Sequence, residues 1–144
     1  MLPTNVLIID DEKDFVQTIN ERLTLRGMAV SAASDGAAGV RELERYPNTD
    51  VVLLDVQMPG MSGIETLRQI KASHPGVEVI MLTGHATVET AIEGMKLGAF
   101  DYLLKPYDME TLLQKLQAAT DRARQHQAKI REAIGKELRG QRAS

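Results

Sequence analysis

Three kinds of reactive side chain stand directly after four short apolar runs of this 144-residue chain. They are carboxylates, a hydroxyl and an ammonium, at Asp10, Asp11, Asp55, Thr83 and Lys105. Carboxylates held within several ångströms repel one another by on the order of a few kcal/mol per close pair. An ammonium can neutralise one charge, and a hard divalent cation such as Mg²⁺ can neutralise the rest. Because a carboxylate is also a nucleophile toward phosphorus, such a site could accept a phosphoryl group.

The elements between these residues must bring them together. Short apolar runs predict strands at Val6–Ile9, Met28–Ser31, Val51–Leu54, Val77–Leu82 and Phe100–Leu104. Segments with helical spacing lie between them. Five such repeats predict an α/β fold, a doubly wound five-stranded parallel sheet of order 2-1-3-4-5 with helices on both faces. In that order the ligand site lies at the carboxyl ends of strands 1 and 3, where the acids fall.

Four segments around these residues resemble the signature blocks of response-regulator receiver domains of two-component signal transduction. They are VLIIDDE at 6–12, LLDVQMPGMSG at 53–63, MLTG at 81–84 and GAFDYLLKP at 98–106. The resemblance covers about residues 4–120, and four blocks in this order and strand context are specific. The last block and a long final helix are also similar to receivers of the nitrogen-regulator class, which precede an ATPase domain.

The resemblance implies that Asp55 accepts a phosphoryl group from the phosphohistidine of a histidine kinase or a phosphotransfer protein. It implies Mg²⁺, with Mn²⁺ as an alternative, held by Asp10 or Asp11 with Asp55 and the backbone carbonyl of Gln57. Asp11 is favoured as the direct ligand, and Asp10 as a ligand partly through water. The chain would be a signalling switch that phosphorylates and dephosphorylates itself, and not an enzyme acting on a separate substrate.

The resemblance also assigns the moving parts. Lys105 contacts a phosphoryl oxygen, and its bond to Pro106 is expected to be cis. Thr83 moves to bind the phosphoryl group and Tyr102 swings inward behind it, which changes the surface of helix 4, strand 5 and helix 5. Two variable positions, Gln57 and His85, are predicted to set the lifetime of the phosphorylated state.

The C-terminal region differs in charge from the rest. The chain has a net charge of −3, to which residues 121–144 contribute +4 and the preceding body −7. Apolar residues continue to Leu138, which predicts a last helix extending well beyond the body, with Gly135 and Gly140 as its first breakers. We expect a receiver domain at 1–121 and a basic helical extension or linker at 122–144. The extension either forms a dimer seam or frays, and a homodimer could also use helix 4, strand 5 and helix 5.

The composition of the chain bears on its location and its binding partners. An apolar fraction of 43%, no cysteine and no long apolar run indicate a cytoplasmic protein without a membrane span or disulfides. The acidic body argues against general nucleic-acid binding. The basic tail is either a solvated helix with mixed charges or a segment that contacts DNA or an acidic partner. The sequence names neither the downstream effector nor whether the chain stands alone or is excised from a larger regulator.

Three other functions compete with this interpretation. An aspartyl phosphatase needs an acid two residues after its nucleophile, where this chain has Gln57. Flavodoxin-like flavin binding needs a Ser/Thr/Gly-rich phosphate loop, where this chain has the acids of residues 10–12. A phosphorylation-independent, receiver-like adaptor that dimerises through its C-terminal helix stays open.

Overall fold

The predicted alternation of strands and helices is confirmed in a computed structural model, which describes residues 3–57, 62–84 and 88–143, the last three without side chains. Strand bounds differ from the predicted ones by at most two residues. The elements are β1 Asn5–Ile9, α1 Lys13–Leu25, β2 Ala29–Ala33, α2 Gly36–Arg45, β3 Val51–Asp55, α3 Gly63–Ser73, β4 Glu78–Thr83, α4 Val88–Lys96, β5 Asp101–Leu104 and α5 Met109–Ala143.

All strand pairs are parallel, and the sheet has the predicted order β2-β1-β3-β4-β5. Alternate residues of β1 point to opposite faces, so that Val6 and Ile8 join a core under α1 and α5. Leu7 and Ile9 join a second core under α2 and α3. Every residue of β3 and β4 is buried, because helices cover both faces of these central strands.

Two helices that follow strands of the sheet begin with a side-chain cap. Ser62 Oγ accepts a hydrogen bond from the Glu65 amide at 3.1 Å, and Asp108 Oδ1 accepts one from the Thr111 amide at 2.6 Å. Ser62 and Asp108 therefore cap the first turns of α3 and α5, while Thr87, a candidate cap by residue type, lies outside the described residues. Helix starts of this kind fix where the site loops end.

Helix α5 is long, as predicted, but Gly135 and Gly140 do not break it. A helical glycine costs only about 1 kcal/mol relative to alanine, and the neighbouring residues are mostly strong helix formers. Lys136 Nζ also lies 3.4 Å from Glu132 Oε1, an ion pair between residues one helical turn apart that stabilises this part of α5. Nearer the body, Arg124 donates a hydrogen bond to the Pro3 carbonyl at 2.8 Å.

No helix in the described part of the chain combines the length and the apolar character needed to cross a bilayer.

Candidate functional site

The carboxyl edge of the sheet gathers the reactive side chains. Residue 10 follows β1, Asp55 ends β3, Thr83 ends β4 and Lys105 follows β5. Backbone hydrogen bonds extend the strand pairing to this edge, from the Asp10 amide to the Ala33 carbonyl at 3.1 Å and from the Lys105 amide to the Thr83 carbonyl at 2.8 Å. The backbone at Asp10 and Lys105 is thus fixed by the sheet itself.

A carboxylate cluster forms the centre of this edge. One oxygen from each of Asp10, Asp11 and Asp55 lies within 4.8 Å of the others. Asp10 and Asp55 are 2% and 4% exposed, whereas Asp11 is exposed. The amide two residues further on fixes one oxygen of each buried group. Glu12 N donates to Asp10 Oδ1 and Gln57 N donates to Asp55 Oδ1, both at 2.9 Å.

Lys105 is the cation of the cluster. Its Nζ lies 2.8 Å from Asp10 Oδ2, 3.9 Å from Asp55 Oδ2 and 3.4 Å from Glu12 Oε1. Burial works to lower the pKa of the Lys105 ammonium, but the hydrogen bond and charge of Asp10, with the charge of Asp55, outweigh burial and raise that pKa. The ammonium therefore stays protonated at neutral pH, yet one positive charge cannot neutralise three carboxylates.

Burial and the negative charge of the cluster change the pKa of Asp55. Burial raises the pKa of the Asp55 carboxyl, and the charge of Asp10 raises it further. The Gln57 amide and the Lys105 ammonium oppose this rise, and the pKa settles at about 6. The carboxyl is thus mostly ionised at neutral pH, but in a setting that favours additional positive charge.

The donor set fits a hard divalent cation. Asp10, Asp11 and Asp55 offer carboxylate oxygens, which Mg²⁺ and Mn²⁺ both accept. The exposed Asp11 leaves one side of the cluster open to the waters that Mg²⁺ retains. The geometry is thus compatible with the predicted metal site.

The other predicted residues lie around this cluster. Thr83 is 2% exposed at the end of β4, and Tyr102 of β5 is 41% exposed, pointing away from the core. The Lys105–Pro106 peptide bond is cis. Gln57 is brought to the site through its backbone amide, while His85 lies outside the described residues.

Sequence analysis missed the aromatic side of the site. The ring centroid of Phe15 lies 4.1 Å from Lys105 Nζ. Phe15 also meets Tyr107 edge to face, with centroids 6.0 Å apart and planes at 88°. The helical spacing of Phe15 with Ile19 and Leu23 predicts a face that packs on the core, and nothing in that spacing points to Lys105.

Comparison with known proteins agrees with this geometry. Residues 6–117 match the family model described as the response regulator receiver domain. A solved response regulator receiver domain protein from Clostridium thermocellum superposes with a TM-score of 0.80 at 39% identity, covering 84% of this chain and 97% of that one.

Two curated relatives are regulators of transcription by name. The probable transcriptional regulatory protein TcrX of Mycobacterium tuberculosis is 34% identical over 116 residues, which cover 81% of this chain and 49% of the relative. The transcriptional regulatory protein ZraR of Escherichia coli is 37% identical over 115 residues, which cover 80% and 26%. The chain thus spans half or less of the length of these relatives. The match over most of the chain shows that it belongs to the response regulator receiver domain family of two-component signalling.

Proposed function

We propose that the chain is a phosphorylation switch in which Asp55 accepts a phosphoryl group from a phosphohistidine, in a reaction that depends on Mg²⁺. The donor would be a histidine kinase or a phosphotransfer protein. The observation that carries the proposal is the position of Asp55, a buried carboxylate between the Lys105 ammonium, 3.9 Å away, and two further carboxylates. This is a nucleophile placed where charge on a phosphoryl group would be neutralised.

The proposed transfer step uses the side chains of Asp55, Lys105 and Thr83. Asp55 Oδ1 is held by the Gln57 amide, which leaves Oδ2 to attack phosphorus. A new P–O bond forms as the P–N bond of the donor breaks, and the electron pair of that bond returns to the imidazole nitrogen. Lys105 Nζ and the Thr83 hydroxyl then contact phosphoryl oxygens. In the separate dephosphorylation step, a water oxygen forms a new bond to phosphorus as the P–O bond to Asp55 breaks. This step regenerates the carboxylate and releases inorganic phosphate, at a rate set by Gln57 and His85.

The metal would be held by Asp10, Asp11, Asp55 and the backbone carbonyl of Gln57. When bound, Mg²⁺ supplies neutralisation of the phosphoryl oxygens, and Mn²⁺ could replace it. Both oxygens of Asp10 are already engaged, Oδ1 by the Glu12 amide and Oδ2 by Lys105 Nζ. This supports Asp11 as a direct ligand and Asp10 as one that acts partly through water.

The signal would leave through α4, β5 and α5. Phosphorylation adds about −1.5 to −2 charges at Asp55, which draws Thr83 inward and leaves room for the Tyr102 ring to follow. The surface beside that ring is already apolar, since Val88, Ile92 and Met95 of α4 are 75%, 49% and 44% exposed. With Tyr102 they line a groove of about 450 Å³ suited to a downstream effector.

We propose that the chain has two parts. Residues 1–121 form the switch and residues 122–144 form a basic helical extension or linker. The extension exposes Ile130, Ile134 and Leu138, which are 45%, 52% and 53% accessible and could form a dimer seam. We propose a cytoplasmic location, where a kinase could reach the site, and no direct contact with nucleic acid by the acidic body.

A mass measurement tests the proposal. The protein is incubated with Mg²⁺ and acetyl phosphate, and its intact mass is recorded over time. We expect a gain of one phosphoryl group that is lost with a chelator and in Asp55→Asn. The control Asp121→Asn removes an exposed carboxylate of α5 and should behave like the parent. Without any gain in the parent at the earliest times, the phosphorylation-independent adaptor becomes the better description.

A further inference from the structure

We propose that Phe15 is a positioning residue for Lys105, whose ring face holds the ammonium in place and thereby speeds phosphoryl transfer to Asp55. The inference rests on the proposed function. Its basis is the distance of 4.1 Å between Lys105 Nζ and the Phe15 ring centroid. A cation within about 6 Å of a ring centroid, over the ring face, is attracted by the electron density of that face.

The ring adds a neighbour to an ammonium that the carboxylates of Asp10, Glu12 and Asp55 approach at 2.8, 3.4 and 3.9 Å. Phe15 comes from the first turn of α1, whereas Asp10 follows β1 and Asp55 ends β3. Tyr107, two residues after the lysine, meets Phe15 edge to face and restrains the ring. Helix α1 therefore restrains the ammonium through Phe15, and Tyr107 restrains the ring of Phe15.

Lysine needs such a restraint because its stem is long and flexible. A cavity of about 500 Å³ lies beside the ammonium, lined by Phe15, Lys105 and Tyr107 among others. A smaller side chain at position 15 would widen this cavity and let the ammonium turn into it. The phosphoryl oxygens would then meet a cation whose position is not fixed, which weakens its stabilisation of the transition state.

At position 15 an aromatic ring is also better suited to hold the ammonium than a carboxylate would be. To contact a phosphoryl oxygen, the ammonium has to loosen its 2.8 Å hydrogen bond to Asp10 Oδ2. A further carboxylate at position 15, added to that of Glu12 at 3.4 Å, would compete for the ammonium during this movement. The broad, weakly directional attraction of an aromatic face persists while the ammonium shifts by a fraction of an ångström.

The composition of the chain allows a direct test. Phe15 and Phe100 are its two phenylalanines, so in a Phe100→Leu background every phenylalanine analogue enters at position 15 alone. Proteins carrying mono-, di- and trifluorinated phenylalanine keep nearly the same ring shape while the face loses electron density stepwise. Phosphorylation of each by acetyl phosphate and Mg²⁺ is followed by intact mass, with the non-fluorinated Phe100→Leu protein as reference.

We expect the rate to fall stepwise with fluorination, by between about twofold and thirtyfold in total. Phe15→Leu in the parent should give a similar loss, and Phe15→Tyr, which keeps the ring, should retain most of the rate. A rate that does not change along the fluorine series, in a protein that is phosphorylated, overturns the role of Phe15 and leaves the proposed function intact.

A second readout does not depend on phosphorylation. Urea unfolding of Phe15→Leu, Lys105→Met and the double variant measures whether the two side chains are coupled. We expect Phe15→Leu to lower the unfolding midpoint more in the parent than in the Lys105→Met background. Equal losses would mean that the ring does not hold the ammonium, and would refute the inference. A parent that takes no phosphoryl group would refute the proposed function and, with it, any role of Phe15 in transfer.

Discussion

Replacing Asp55 by asparagine is expected to stabilise the metal-free protein at neutral pH. The carboxyl is 4% exposed and lies beside the charge of Asp10. Burial and that charge raise its pKa from the ordinary 3.8 to about 6, despite the opposing Gln57 amide and Lys105 ammonium. Asparagine has nearly the shape of the protonated acid but carries no charge, so the substitution should remove an unfavourable charge and little else.

The magnitude follows from the difference between the folded and unfolded pKa. A rise of about 2 corresponds to roughly 3 kcal/mol, at about 1.36 kcal/mol per pH unit. Because the folded state of the parent binds this proton more tightly than the unfolded chain, its stability rises as the pH falls from above 6 toward 3.8. The advantage of Asp55→Asn should therefore be largest above pH 7 and nearly absent at pH 4.

Urea unfolding with a chelator, at pH values from 4 to about 8, measures this advantage directly. The matched control is Asp121→Asn, which should change stability by less than about 0.5 kcal/mol at every pH. Saturating Mg²⁺ should reverse the order, because the cation binds the folded parent in preference to the variant. An asparagine variant that is no more stable at pH 7.5, or equally favoured at pH 4, would contradict the electrostatic account of the site.

Three further predictions concern packing, lifetime and the extension. Gly63→Ala should lower the free energy of unfolding, measured in urea, by about 2–3 kcal/mol, because the added Cβ would lie 2.3 Å from the Cα atom of Val56. Gly94→Ala is the control and should cost less, because its Cβ would meet the flexible end of the Met81 side chain. Gln57→Ala and His85→Ala should each change the rate of phosphoryl loss, measured by intact mass after donor removal, by several-fold; unchanged rates would remove their tuning role. Deleting residues 127–144 should lower the free energy of unfolding by less than about 1 kcal/mol, because most of the described residues of this segment are exposed. If sedimentation shows a dimer of the 144-residue chain but not of the shortened one, the dimer seam lies in this segment.

The order of the sheet was predictable because its signals are local and repeated. Two central strands are almost wholly apolar, and a reactive residue follows each of four strands, so the topology alone placed these residues on one edge. Helix α5 shows where local signals fail. Gly135 and Gly140 were expected to interrupt it, but a glycine's modest helix penalty is outweighed by the strong helix formers on both sides.

Distances inside the site could not be predicted in the same way. The sequence placed Lys105 near three carboxylates but could not rank its partners, and the shortest distance is to Asp10 rather than to Asp55. Such rankings depend on side-chain directions from several elements. The Phe15 contact depends on how α1 packs against the segment after β5, which helical spacing does not specify.

The energetics of this edge link the proposed metal, Asp55 and the ring of Phe15. A pKa near 6 leaves the Asp55 carboxyl ionised at neutral pH, as the proposed transfer requires, but the ionised form destabilises the fold. A bound cation would relieve that cost, and its affinity should therefore fall as Asp55 becomes protonated. A second lysine could also neutralise the cluster, but it would remove the reason for a metal to bind. In the proposed arrangement the ring of Phe15 instead holds the existing ammonium without changing the net charge, so the cluster would stay acidic enough to attract a divalent cation.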